Sequence, residues 1–383
     1  MGDYVTRTPL SWAAQEGRVG LVKLLLLAQA DANERDEAGQ TPLFRAQSKM
    51  HWPVVAILIK AGADVYGKSY MYNNGNEATR VTQLMYASAE NDEISARLLI
   101  QNGAKVGAIC YGEARRGRGE TALTIASRHG HEAIARFLIE NGAFTDVGET
   151  NALTAAAENG HINVVRLLTE NGIHPSMKCC GGPALLKALH HGHVAIASLL
   201  ISMGVDIDFW SKFDEPLACS PLVVACKNGH ESLVRLLLSK GARIDHPDPY
   251  FKSPLISAVL KGQEAIAKLL IRRGTSVNKL AHHSTPLIAA SEAGHEAMVR
   301  LLIDNGADVN KVAEYKTPLM AACLDGHEAM AKLLIDNGAN VNQVSMLDGG
   351  ASTPLHSASM AGHEAVVRLL LDHGAQAVAW GTL

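Results

Sequence analysis

The reading of the chain turns on residues 285–310, TPLIAASEAGHEAMVRLLIDNGADVN. The next copy, TPLMAACLDGHEAMAKLLIDNGANVN, occupies 317–342. Working outward from this pair, the phrase returns eleven times. Its first residues are Thr8, Thr41, Thr82, Thr121, Asn151, Pro183, Ser220, Ser253, Thr285, Thr317 and Thr353. The base period is 32–33 residues, with insertions before the third, fourth, seventh and eleventh copies. Repetition at this period marks a unit too small to bury its own apolar face, so that neighbours must stack on it.

Each copy spells turn, helix, tight turn, helix, loop. Thr or Ser before Pro supplies a capping hydroxyl and a proline at the first helical position. A short Leu- and Ala-rich stretch follows, and a Gly-His pair such as Gly130-His131 or Gly229-His230 stops it. The second helix, for example Glu296 to Asp304, carries apolar residues at i, i+3, i+4 and i+7. It ends at a glycine, Gly62, Gly142, Gly306 and Gly338 among them, suited to a left-handed cap. Helices this short are marginal alone, which is a second reason for stacking.

Composition agrees with many small cores. Aromatics are 5% of 383 residues, while apolar residues are 47% and charged residues 19%. Lys and Arg number 35 against 38 Asp and Glu, a formal net charge of −3, which argues against a broad nucleic-acid or anionic-membrane surface. No apolar run approaches the ~20 residues that cross a bilayer. Six cysteines are too sparse for a disulfide framework. With no charged-then-apolar leader, the expected compartment is the cytoplasm, and the nucleus is compatible too.

The phrase T-P-L, A-A, G-H, V-V-x-L-L-L, G-A-D-V-N, running from Thr8 to Ala375, closely resembles the ankyrin-repeat family. The resemblance implies an all-α solenoid of stacked helix–turn–helix units, with finger loops and a concave face. The expected organisation is a single array over residues 1–383. It also implies structural work for most of the histidines. His51, His131, His161, His193, His230, His295, His327 and His363 fill the Gly-His slot, where bonding to backbone is expected, and the resemblance assigns His356 to tying neighbouring fingers together.

Function is therefore sought where the phrase breaks. Eleven of eighteen aromatics fall in the fingers, and Tyr70, Tyr72, Tyr111, Trp210, Phe213, Tyr250 and Phe251 are the expected partner contacts there. The fourth copy's insertion adds Arg115, Arg116 and Arg118 among glycines, a basic loop suited to an acidic peptide or metabolite and a weaker basis for RNA. The main expectation is a non-enzymatic interaction module that binds another protein or peptide, one with an acidic segment being a natural fit.

An alternative places a metal-independent acid–base site for a small molecule in the central groove. Arg128-His129, Glu158-Asn159, His190-His191 and Lys227-Asn228 end successive first helices, and Glu158, His129, His190 and His191 would be its catalytic groups. Successive helices lie ~10 Å apart, so these groups act together only if long side chains converge. No cofactor is expected. No C-x-x-C pair, P-loop or dinucleotide fingerprint occurs, and adjacent histidines such as His282-His283 are poorly arranged for one ion. At the start of the array, Leu27 stands where other copies have polar residues, and Gln29 replaces the capping glycine.

Overall fold

A computed structural model describes residues 7–66, 68–73, 77–111, 119–143, 152–173, 181–209, 220–245, 253–281, 283–347 and 350–377. They fall into two compact units, Met1–Val205 with six repeats and Asp206–Leu383 with five. In the first unit the helix pairs are α1 (Pro9–Gln15) and α2 (Val19–Leu27), α3 (Pro42–Ser48) and α4 (Trp52–Lys60), α5 (Gln83–Ala89) and α6 (Glu93–Gln101). They continue as α7 (Ala122–His129) and α8 (Glu132–Glu140), α9 (Ala152–Glu158) and α10 (Ile162–Glu170), α11 (Gly181–His191) and α12 (Val194–Ser202). The second unit holds α13 (Pro221–Lys227) and α14 (Glu231–Ser239), α15 (Pro254–Leu260) and α16 (Glu264–Arg272), α17 (Pro286–Glu292) and α18 (Glu296–Asp304). Its last pairs are α19 (Pro318–Leu324) and α20 (Glu328–Asp336), α21 (Pro354–Ala361) and α22 (Glu364–Asp372). Within each unit first helices stack on first helices and second on second, which is the expected all-α repeat solenoid.

The starts follow the sequence logic. Thr8, Thr41, Thr82, Thr121, Ser220, Thr285, Thr317 and Thr353 each accept a hydrogen bond from the backbone N–H three residues on. The second helices carry i,i+4 pairs such as Glu93–Arg97 and Glu231–Arg235, exposed and worth ~0.3–0.5 kcal/mol each. Stability comes instead from the interior, where Leu58, Leu99, Ile134, Leu138, Leu200, Leu237, Leu270, Leu302 and Leu334 are at or near complete burial. The insertions before the third, fourth and eleventh repeats add two-stranded antiparallel hairpins: β1 (Lys68–Asn73) with β2 (Glu77–Thr82), β3 (Cys110–Tyr111) with β4 (Gly119–Glu120), and β5 (Ser345–Leu347) with β6 (Gly350–Ser352).

The slot histidines are tied to one kind of atom. Nε2 of His131, His161, His193, His327 and His363 lies 2.9–3.2 Å from the carbonyl oxygen of Ala89, Arg128, Glu158, Glu292 and Leu324, in the preceding repeat. The rings of His161, His193, His327 and His363 cover the glycine that ends that repeat's first helix, and in the repeat before His131 that place is Asn91, at φ 58°. A Cβ built on Gly160 would lie 2.8 Å from His193 Cε1, and one on Gly294 would lie 2.9 Å from His327 Cε1. Where the slot holds Asp92 instead, the glycine place of the preceding repeat is taken by Met50, at φ 55°, and Trp52 Nε1 donates to Asp92 Oδ1 at 2.8 Å.

Neighbouring fingers are joined by asparagines. Asn310 Nδ2 donates to Gly338 O at 3.0 Å and its Oδ1 accepts from Asn340 N at 2.8 Å. Asn33, Asn278 and Asn342 repeat the arrangement. The tie implied for His356 differs: its side chain is exposed, and among the described residues it is held by its backbone N–H on Thr353 Oγ1.

Candidate functional site

The last turn of each first helix exposes two residues before the slot glycine, and the residue one turn earlier lies on the same face. The caps, slot histidines and finger asparagines that hold the repeats together sit at other positions. The two units fill the positions on this face differently.

In the first unit the earlier position carries Trp12, Arg45, Tyr86, Ile125, Ala155 and Lys187. Trp12 is 49% exposed, with the Arg7 guanidinium 4.6 Å above its ring. Arg45 donates to the buried Asp36 carboxylate at 2.6 Å. Tyr86 packs on Phe44, ring centres 4.8 Å apart, and burial helped by the Glu90 and Asp92 carboxylates pushes its phenol up to about 12.

Further along, Glu158 Oε1 lies 3.3 Å from Lys187 Nζ and 4.0 Å from His191 Nε2. His191 meets His190 edge-on at 5.0 Å and stacks on His193 at 6.1 Å. The structure therefore brings Glu158 and His191 together and adds Lys187. His129 belongs to a different cluster, stacked on His131 at 5.7 Å, while Arg128 is taken by Glu120 at 2.5 Å. Partial burial lowers the pKa of both His129 and His191. The neighbouring His131 and Arg128 add to it for His129, and His190 for His191, against opposing pulls from Glu90 and Glu158. The Glu158 and His191 side chains are 39% and 43% exposed, an open polar surface rather than an enclosed acid–base pocket.

In the second unit the earlier position holds Val224 in the first repeat and then becomes small, with Ser257, Ala289, Ala321 and Ser357 all buried. The last-turn position is Lys227 in the first repeat and turns largely apolar after it. Leu260, Leu324 and Met360 are 46%, 37% and 60% exposed, with Glu292 between the first two. A cavity of about 250 Å³ opens beside Leu260 and Glu292, walled by Ile256, Ser257 and the fingers carrying His283, Glu314 and Lys316. Lys316 Nζ pairs with Glu292 Oε1, and His283 Nδ1 lies 3.9 Å from Glu314 Oε1. Both fingers close in tight turns, Ala281 bridging Ser284 and Ala313 bridging Lys316, which force His283, Glu314 and Tyr315 to φ of 63°, 40° and 69°.

Of the finger contacts expected from sequence, Arg115, Arg116, Arg118, Trp210, Phe213, Tyr250 and Phe251 lie outside the described residues. Tyr70 and Tyr72 are placed in β1 and Tyr111 in β3 by their backbone alone. Lys187 and the Leu260–Met360 stripe were not among the expected residues. The signal that finds them is the comparison of one position across all the repeats.

The family described as "Ankyrin repeats (3 copies)" matches residues 3–69, 84–179, 144–209, 171–248, 222–313 and 312–379. The chain belongs to the ankyrin-repeat family. Among solved structures it is similar to the human ASB11 ankyrin repeat domain, with a TM-score of 0.51 and 25% identity, over 59% of this chain and 99% of that one. The 26S proteasome non-ATPase regulatory subunit 10 of Dictyostelium discoideum is 38% identical over 63 residues, 16% of this chain and 27% of that protein. A rice protein described as "Probable E3 ubiquitin-protein ligase XBOS32" is 36% identical over 77 residues, 20% of this chain and 15% of that protein. The chain thus spans less than a third of either curated relative it matches, and the matched stretches amount to about two ankyrin repeats. Ankyrin repeats are protein–protein interaction modules, and among the described residues no helix is long and apolar enough to cross a membrane.

Proposed function

We propose that this ankyrin-repeat chain is a non-catalytic recognition module that binds a protein or peptide on the first-helix faces of its units and the adjoining fingers. The carrying observation is that one position, in the last turn of each first helix, reads Gln15, Ser48, Ala89, Arg128, Glu158 and His190 along the first unit and Lys227, Leu260, Glu292, Leu324 and Met360 along the second, varying while the scaffold residues around it repeat. The carbonyl of that same residue is often held by the next repeat's histidine. The backbone is fixed while the side chain changes from repeat to repeat, which is how a binding surface is pre-organised. Tyr70, Tyr72, Tyr111, Arg115, Arg116, Arg118, Trp210, Phe213, Tyr250 and Phe251 are proposed as the finger side of this surface, and the cytoplasm as its compartment.

The ubiquitin-linked names of the relatives are not carried over, because the similarity covers only a small part of those proteins. The Glu158–Lys187–His191 group also resembles acid–base machinery, but its side chains stand in solvent, where a carboxylate and an imidazole 4.0 Å apart serve a polar contact equally well.

The test is selection from a random-peptide display library on the full chain. Selected ligands are then measured against Glu158→Ala/Lys187→Ala/His191→Ala and Leu260→Asp/Leu324→Asp variants. Loss of binding with unchanged thermal unfolding supports the reading. Ligands indifferent to both variants, or a metabolite turned over by wild type and spared by Glu158→Ala, overturn it.

A further inference from the structure

Resting on that reading, we propose that the second unit's first-helix face takes an extended peptide in which a basic residue is flanked on both sides, at three-residue spacing, by apolar residues. The spacing comes from two lengths. Packed helices stand ~8–10 Å apart. A chain in the polyproline II form advances ~3.1 Å per residue and turns once every three, so three residues carry it from one repeat to the next and return the side chain to the same face. Leu260, Glu292 and Leu324 occupy one position in three consecutive repeats, so they read apolar, acidic, apolar along the face. The small side chains of Ser257 and Ala289 line the cavity beside Leu260 and Glu292, which leaves room for the peptide to lie there.

The central specificity is electrostatic. Two carboxylates, Glu292 and Glu314, face the cavity against one ammonium, Lys316, already paired with Glu292. Carboxylates accept several hydrogen bonds each, so an incoming guanidinium finds acceptors without breaking that pair. Glu314 and His283 sit at left-handed φ in the finger turns, which hold both beside the cavity. The motif is the same read in either chain direction, so the orientation of the peptide need not be known.

The probe is a fluorescent peptide with the core Leu-Ser-Thr-Arg-Ser-Thr-Leu, titrated with the full chain and followed by anisotropy. Replacing the peptide's Arg by Glu, or moving it by one position, weakens binding at least about tenfold, as does Glu292→Lys or Leu324→Asp in the protein. Circular dichroism and thermal unfolding check that each variant folds. No binding above a scrambled peptide, or equal binding of the shifted peptide, overturns the assignment. Display ligands that ignore Leu260→Asp/Leu324→Asp but require Glu158, Lys187 and His191 would overturn it as well, while leaving the broader recognition reading intact.

Discussion

His193 Nε2 lies 3.1 Å from the carbonyl oxygen of Glu158, and the same imidazole covers Gly160. A carbonyl only accepts, so Nε2 carries the proton. One side chain thus satisfies the end of the preceding repeat's first helix, fixes the backbone of a face residue, and requires glycine beneath it. Gly160, at φ 81°, is costly to replace on two counts: an l-residue there is strained by ~1–2 kcal/mol, and its Cβ overlaps the ring. Gly172, at φ 94°, has open space around it. Gly160→Ala is expected to lose about 2–4 kcal/mol in urea unfolding and Gly172→Ala about 1–2 kcal/mol. Equal losses would deny the histidine its steric role.

The finger asparagines give a second prediction. Asn310→Ala strips a donor from Gly338 O and an acceptor from Asn340 N–H, so about 1–2 kcal/mol is lost. The natural exception is Asp208, which accepts from Arg243 N at 2.8 Å but has no N–H to offer a carbonyl. Hydrogen exchange at Asn340 should quicken in the Asn310→Ala variant, and unchanged protection there would contradict the tie.

His191 sets a pH dependence. Its folded pKa is lowered, so below about pH 6.5 the unfolded chain takes up this proton more readily than the folded one. The contribution is whole above that pH and is lost as pH falls toward the folded value. Imidazole NMR titration of the full chain should give a midpoint below 6.5 for His191. Lys187→Met should move it up and Glu158→Gln further down, from the sign of each neighbour's influence. Opposite shifts would contradict the described geometry.

Tyr86 should titrate late. With its phenol pushed up to about 12 by burial, ultraviolet absorbance of the folded chain should show one tyrosine ionising well above the ordinary 10, and Tyr86→Phe should remove that step. A full set of normal titrations would place Tyr86 in solvent.

The repeats were legible because each local rule is written within one copy: the capping threonines, the Gly-His stop, and the glycine after the second helix. The histidine's task was legible too, but its acceptor was not, since Glu158 and His193 are 35 residues apart and meet only through stacking. Lys187 escaped notice because it lies a turn before the pair of positions that vary most visibly. Leu260 and Leu324 escaped because leucine in a Leu-rich helix reads as core, and only the stack shows that this position faces out.

The most direct test of recognition by the first-helix faces is site-specific photocrosslinking. A photoreactive residue is placed in turn at His190 and Leu324 on those faces, and at Arg136 and Arg300 on exposed second helices. With a display-selected ligand bound, the account predicts crosslinks from one or both face positions and none from the second helices. Crosslinks confined to Arg136 or Arg300 would contradict it.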